Sequence, residues 1–266
     1  MKRLFVWSQY VLPKRRISQL LGWLARKNLG FVTQWVIRRF ISDFNVDMTE
    51  ALHSNPLCYI TFNDFFTRPL REGVRQIDMR DDILVSPVDG HISECGEMRH
   101  ATLLQAKGRI YSRLSLLAND ADLSHAMARG TYFTVYLSPR DYHRVHMPIT
   151  GKLVKMIYVP GNYFSVKPVV VESIDNVFAK NERVICEFVT AVGRLVVILV
   201  GAMVVGSMAT VWHGVVKPRG RKQSCWSYED QNIVLQKGEE LGRFQLGSTV
   251  VMLFQEGAVE LLEQCE

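Results

Sequence analysis

The chain has 266 residues, 48% of them hydrophobic and 22% charged, with a net charge of +6 at pH 7. That balance excludes a disordered chain and leaves enough apolar side chains for one large domain with a short appendage. The five cysteines, Cys58, Cys95, Cys186, Cys225 and Cys265, are scattered and lack C-x-x-C spacing. This excludes a disulfide framework and a zinc knuckle, and fits a reducing compartment.

The charge is uneven along the chain. Residues 1–44 carry Lys2, Arg3, Lys14, Arg15, Arg16, Arg26, Lys27, Arg38 and Arg39 against Asp43 alone, a net +8, so the remainder is slightly acidic at −2. The run Leu4 to Leu12 is short, broken by Ser8 and Gln9, and followed by Pro13 and more basic residues, which argues against a secretory signal. Ile17, Leu20, Leu21 and Leu24 recur at helical spacing beside Trp23. Phe31 to Phe44 is apolar around most of a helical circumference. Basic residues among Trp, Phe and Leu fit helices lying in a membrane interface, where each Lys or Arg near an anionic leaflet adds roughly 1 kcal/mol. The alternative is a pair of ordinary helices packed on the body or on a second subunit. No nucleic-acid partner is expected, because the basic residues sit among large apolar side chains rather than in a polar stripe.

Further along, strands are predicted near 84–86 and 91–95, a helix at about 110–118 carrying Ile110, Leu114 and Leu117, and strands at 131–137, 152–158, 183–190, 195–200, 203–212 and 249–254. Leu195 to Trp212 is uncharged and approaches the ~20 residues of a membrane span. Its Gly201, Gly206 and many β-branched residues read better as buried strands. Pro87, Pro139, Pro148, Pro160-Gly161, Pro168, Gly193 and Pro218 supply the turns. The expected fold class is α+β: amphipathic helices within 1–75, and a mainly β body over 76–266, barrel-like or sandwich-like.

Three clusters could carry chemistry. Ser86-Pro87-Val88-Asp89-Gly90-His91 puts a carboxylate in a turn, and Asp before Gly is also common turn chemistry. Ser138-Pro139-Arg140-Asp141-Tyr142-His143-Arg144-Val145-His146-Met147-Pro148 places two histidines three residues apart between prolines. His-x-x-His can bind a metal, but no third and fourth ligand stand at motif spacing, so general acid–base work fits better. Leu246-Gly247-Ser248-Thr249 reads either as a turn entering a strand or as a bond that the protein cuts in itself.

In chain order, these clusters and several others resemble the membrane-associated, pyruvoyl-dependent phosphatidylserine decarboxylases of bacteria. The matching stretches include Phe62-Asn63-Asp64-Phe65-Phe66-Thr67-Arg68-Pro69-Leu70, Ser86 to Gly90, Tyr136 to His146, Val159-Pro160-Gly161, Asn181-Glu182-Arg183 and Gly242-Arg243-Phe244 through Thr249. They span nearly the whole chain.

The resemblance implies a site of Asp89, His143, His146 and Ser248, with cleavage between Gly247 and Ser248. The Ser248 hydroxyl attacks the Gly247 carbonyl to give an ester. Loss of the α-proton then expels the ester by β-elimination, and hydrolysis leaves a pyruvoyl group on residue 248 and releases ammonia. The products are a β chain, 1–247, and an α chain, 248–266. His146 is implied as the base that activates Ser248, with Asp89 orienting its imidazole. Phosphatidylserine then forms a Schiff base with the pyruvoyl ketone, loses CO2, and is protonated by His143 to give phosphatidylethanolamine. No metal or diffusible cofactor is expected. The implied location is the cytoplasmic face of the bacterial plasma membrane, bound peripherally to anionic lipid, with a homodimer as an open expectation. An enzyme for a soluble substrate and a non-catalytic β module at a membrane remain as competing readings.

Overall fold

The computed structural model describes residues 2–98, 102–106, 109–203, 207–216, 222–245 and 248–261. Helices α1 (Lys2–Val11), α2 (Lys14–Ala25) and α3 (Phe31–Phe44) open the chain. Pro13 separates the first two, and left-handed Gly30 and Asn45 bracket the third.

The helix expected around 17–24 is present, but its facing is unusual. α2 buries Ser18, Gly22 and Ala25 and leaves Leu20, Leu21 and Trp23 exposed. α3 buries Thr33 and Ile37, while Val32 and Trp35 stay outside and Phe31 is 81% exposed. α1 buries Gln9, whose Oε1 accepts the Ser165 amide at 3.0 Å, and exposes Trp7 and Val11. A helix on a water-facing surface turns its large apolar side chains inward; these turn many of theirs outward.

Helix α4 (Phe62–Phe66) follows, started by a capping box between Thr61 and Asp64. Its Phe65 and Phe66 join Ala25, Ile37, Val46 and Tyr59 in a small core. The body then runs β1 (His91–Glu97), β2 (Thr102–Ala106), β3 (Arg109–Ser112), α5 (Arg113–Leu116), α6 (Ala121–Ala126), β4 (Thr131–Leu137), β5 (Arg144–His146) and β6 (Gly151–Val159). It continues through α7 (Pro168–Val171), α8 (Val177–Lys180), β7 (Arg183–Thr190), β8 (Gly193–Gly201), β9 (Met208–Thr210) and β10 (Gly214–Val215). Last come β11 (Ser224–Ser227), β12 (Val234–Leu235), β13 (Glu240–Phe244) and β14 (Ser248–Phe254).

The large sheet is antiparallel in the order β1-β4-β14-β8-β7-β6-β11, with β12 also on β6, and a smaller sheet runs β10-β9-β13-β5. Mixed helix and sheet is therefore as expected, but the large sheet is open rather than closed into a barrel. Sandwich-like packing holds only in part. One face of the large sheet, with Val196, Ile198, Val200, Val251 and Leu253, packs on residues of α5 to α8. The other, with Leu195, Val197, Leu199, Val250 and Met252, packs on Val145, Met208, Leu241 and Phe244 of the small sheet. β8 and β14 are buried on both faces, which is why they read as unbroken apolar runs.

Three expected elements differ. Residues 109–112 form β3 rather than helix, because Tyr111 is buried against Phe178 while its neighbour Ile110 is 55% exposed, an alternation of period two. The helix starts only after Ser112, which caps it. Residues 84–86 form no strand, since the prolines at 87 and 148 limit any ladder there. Of the strand expected at 203–212, β9 occupies 208–210, and 204–206 lie outside the described residues.

Arg183 joins the layers. It is 2% exposed and donates to the carbonyls of Leu116 (2.8 Å), Ala179 (2.6 Å), Asn181 (3.0 Å) and Ser115 (2.7 Å), linking α5 and α8 to β7. Arg183→Met strands these acceptors and is expected to lower the unfolding free energy by at least about 3 kcal/mol in urea titrations. A loss below about 0.5 kcal/mol would show that the carbonyls find other donors.

Candidate active site

Asp89, His143, His146 and Ser248 come from separate stretches, and the two sheets bring those stretches together. β4 leaves the large sheet at Leu137, and the chain enters the small sheet at Arg144 as β5. β13 leaves the small sheet at Phe244, and the chain enters the large sheet at Ser248 as β14. Leu137 is the register partner of Ser248. Phe244 N donates to His143 O at 3.1 Å. Both connections therefore cross the same gap side by side. Gly247 lies outside the described residues, and for Ser248 the backbone alone is described, between Leu137 and Gly201. Thr249 is fully buried, and its Oγ1 has no partner among the described residues.

Asp89 arrives on the Ser86–Gly90 turn. Val85 N donates to Pro148 O at 3.1 Å and His146 N to Pro87 O at 2.8 Å, which lays this turn along the end of β5. A Cβ at Gly90 would stand 2.5 Å from Tyr136 O, so the close approach to β4 demands glycine there. The Asp89 carboxylate binds Arg75 at 2.6 and 3.0 Å, and Arg75 also binds Glu50 at 2.8 and 2.9 Å. These hydrogen bonds push the Arg75 pKa up. Arg75, Asp89, Tyr142, Arg144, His146 and Gly238 line one cavity of about 440 Å³.

His146 places Nδ1 2.8 Å from Gly238 O and Nε2 3.0 Å from the Tyr142 hydroxyl. A carbonyl oxygen only accepts, so Nδ1 carries the proton and Nε2 presents a lone pair to the Tyr142 O–H. The ring is thus oriented by a main-chain carbonyl, with Asp89 in the same cavity and bound to Arg75. Tyr142 is buried, which pushes its hydroxyl up to about 12 and keeps it a donor at neutral pH.

His143 is fully buried, with its ring 4.1 Å from that of Phe66. Its Nδ1 donates to Asp141 O at 2.7 Å, and Nε2 has no partner among the described residues. Burial lowers the imidazole to about 3; the Asp141 carbonyl opposes this shift and the Arg68 charge adds to it. At neutral pH His143 is an uncharged ring whose Nε2 accepts a proton before it can give one. The loop carrying both histidines is clamped by the segment after α4. Arg144 Nε donates to Thr67 O at 3.0 Å, Arg144 Nη1 to Glu240 at 2.8 Å, and Arg68 Nη2 to Arg140 O at 3.1 Å. Behind the crossing, Arg26 at the end of α2 donates to Gln245 Oε1 at 3.2 Å, which also accepts from Ser207 Oγ.

Sequence reasoning does not find Arg75 or the Gly238 carbonyl. One is a lone arginine outside any chemical pattern, and the other is a main-chain atom. Arg68 carries a signal only through the family likeness of Phe62 to Leu70.

The family model for phosphatidylserine decarboxylase matches residues 62–265, which include every wall of this cavity. The chain belongs to the phosphatidylserine decarboxylase family. A second family model, described as PSD, matches residues 4–45. A phosphatidylserine decarboxylase proenzyme from Variovorax paradoxus (strain S110) is 53% identical over 94% of this chain and 88% of its own length. One from Chromobacterium violaceum is 52% identical over 99% of this chain and 94% of its own length, and one from Shewanella loihica is 48% identical over 98% and 92%. The decarboxylase match begins at Phe62, so Phe66, Arg68 and Arg75 fall inside it.

The state of His143 has a thermodynamic signature. Between pH 6.5 and about 3 the unfolded chain binds a proton at residue 143 that the native chain refuses. The unfolded state then holds more protons, so stability falls as the pH is lowered through this window, by up to about 1.4 kcal/mol per pH unit from this group. His143→Gln is expected to flatten the pH dependence of the unfolding free energy there by close to one proton. An unchanged slope would show that the ring is not held neutral.

Proposed function

We propose that the chain is the precursor of an enzyme that decarboxylates phosphatidylserine to phosphatidylethanolamine and CO2, using a ketone made from Ser248. The relatives' proenzyme name supports a chain that is processed before it acts. The observation that carries the reading is the shared crossing, which sets the His143–His146 loop beside the step from Phe244 to Ser248.

For self-cleavage, His146 is the base. Its Nε2 lone pair is the atom that takes the Ser248 proton, Gly238 O holds the ring, and Asp89 supplies negative charge in the same cavity. The Tyr142 hydroxyl shares Nε2 and must yield it for this step. Thr249 Oγ1, next in the chain to position 248, and His143 Nε2 are buried without partners among the described residues and fit a carbonyl formed at position 248. Such a ketone would supply an electron sink for the pair released with CO2. His143 is the residue that hands a proton to Cα, through Nε2, the ring nitrogen that the Nδ1 bond to Asp141 O leaves open.

We read residues 1–75 as the membrane-association region and 76–266 as the catalytic domain, cleaved into 1–247 and 248–266. The outward apolar faces of α1 to α3 and the +8 charge of residues 1–44 support attachment to anionic lipid on the cytoplasmic face of the bacterial plasma membrane. Among the described residues no helix is long and apolar enough to cross a membrane. A homodimer is compatible with this arrangement.

Denaturing mass spectrometry of the active enzyme should give chains 1–247 and 248–266, the shorter one reacting with carbonyl reagents. Ser248→Ala should remain one chain without activity, and His146→Ala should cleave at least 100-fold more slowly. An intact chain in an active wild-type preparation would refute the scheme. Binding to vesicles of phosphatidylserine and phosphatidylcholine should weaken with added salt and be lost on removal of residues 1–44. Undiminished binding by the shortened chain would place the anchor elsewhere.

A further inference from the structure

We propose that Arg68 binds the anionic oxygens of the substrate head group, beside the nitrogen of His143 that meets its ammonium. Arg68 is 3% exposed, and its Nε and Nη1 are buried without a hydrogen-bond partner among the described residues. Among the described residues its hydrogen bond runs from Nη2 to Arg140 O at 3.1 Å. A guanidinium removed from water with two donors unsatisfied is costly unless an anion completes it.

The nearby acids do not supply that anion. Glu50 and Asp89 both close on Arg75, and Asp141 Oδ2 accepts the Ser138 amide at 2.7 Å. Arg68 lines a cavity of about 230 Å³ that shares Arg75, Asp89 and Tyr142 with the larger cavity at His146. The second orphan of this neighbourhood is His143 Nε2, a lone pair because Nδ1 donates to Asp141 O. Arg68 is fixed to residue 140 and His143 to residue 141, so both hang from one turn.

Unpaired guanidinium donors and an unpaired imidazole acceptor, anchored to neighbouring residues of one turn, complement a group carrying both anionic oxygens and N–H. The head group of phosphatidylserine carries both. Its phosphodiester and its α-carboxylate offer the same oxygen chemistry to a guanidinium fork. The assignment rests on the proposed function, which places the reaction at His143.

The test uses full-length Arg68→Lys and Arg68→Gln. With phosphatidylserine in mixed micelles, both are expected to cleave into two chains, and KM should rise about tenfold or more while kcat changes less. Lysine keeps the charge but loses the fork, so it should rescue only in part. Binding is then measured on Ser248→Ala, with and without Arg68→Gln, using glycerophosphoethanolamine, which has the phosphodiester alone, and serine, which has the carboxylate alone. Loss of affinity for one of them with Arg68→Gln supports the assignment and identifies the oxygens. Unchanged KM in a cleaved variant would overturn it. So would equal affinity for both compounds with and without Arg68, or no binding of either when Arg68 is intact. The binding arm needs neither cleavage nor turnover, so failure of the Ser248 and His143 scheme would appear separately, in wild-type processing.

Discussion

Leu137 is tied to Ser248 on the large sheet, and the His143 carbonyl receives the Phe244 amide on the small one. These two fixed pairs tie the loop between β4 and β5 to the ends of β13 and β14. From the other side, the Phe66 ring and the Arg68 and Arg144 hydrogen bonds hold the histidine loop against drift. The same pairing would hold the C-terminal segment in place if the chain were cut before Ser248. Every residue from Ser248 to Phe254 pairs with both β4 and β8, and Val250, Val251, Leu253 and Phe254 are almost wholly buried. Burial of such a set is worth on the order of 10 kcal/mol as an upper bound, before any backbone hydrogen bond is counted. A cut between 247 and 248 removes a covalent link from a strand that is already fixed on both edges.

The two histidines share a tautomer and differ in access. Each gives its Nδ1 proton to a main-chain carbonyl, so each presents Nε2 as an acceptor. His146 lines an open cavity and has a tyrosine hydroxyl on that nitrogen; His143 is buried beside Phe66, with no partner on its Nε2 among the described residues. Three residues of spacing along a loop and a short strand thus produce two distinct proton sites. Burial, rather than a neighbouring carboxylate, sets them apart.

Much of the large sheet was legible. The runs at 183–190, 195–200 and 249–254 are apolar because both faces are covered, and a strand of that kind announces itself. The small sheet was not legible, since strands of two to five residues owe their existence to distant partners such as Phe244 and Met208. Ile110 and Leu117 suggested one helix across a stretch that tertiary pairing divides into β3 and α5. Within the proposed site, Asp89, His143, His146 and Ser248 are residue types that advertise chemistry and so stand out in a sequence. Groups that act only by position do not. Gly238 contributes a carbonyl, and Arg75 matters through the two carboxylates that folding brings to it.

The N-terminal helices carry a consequence for the whole cell. Trp7, Trp23, Phe31 and Trp35 face outward while Ser18, Gly22 and Thr33 face the protein, so the molecule reaches its folded form with an unsatisfied apolar surface. If the proposed attachment to lipid holds, free chain in excess of available bilayer would cluster, and the amount of dispersed, folded protein would be capped by lipid area rather than by synthesis.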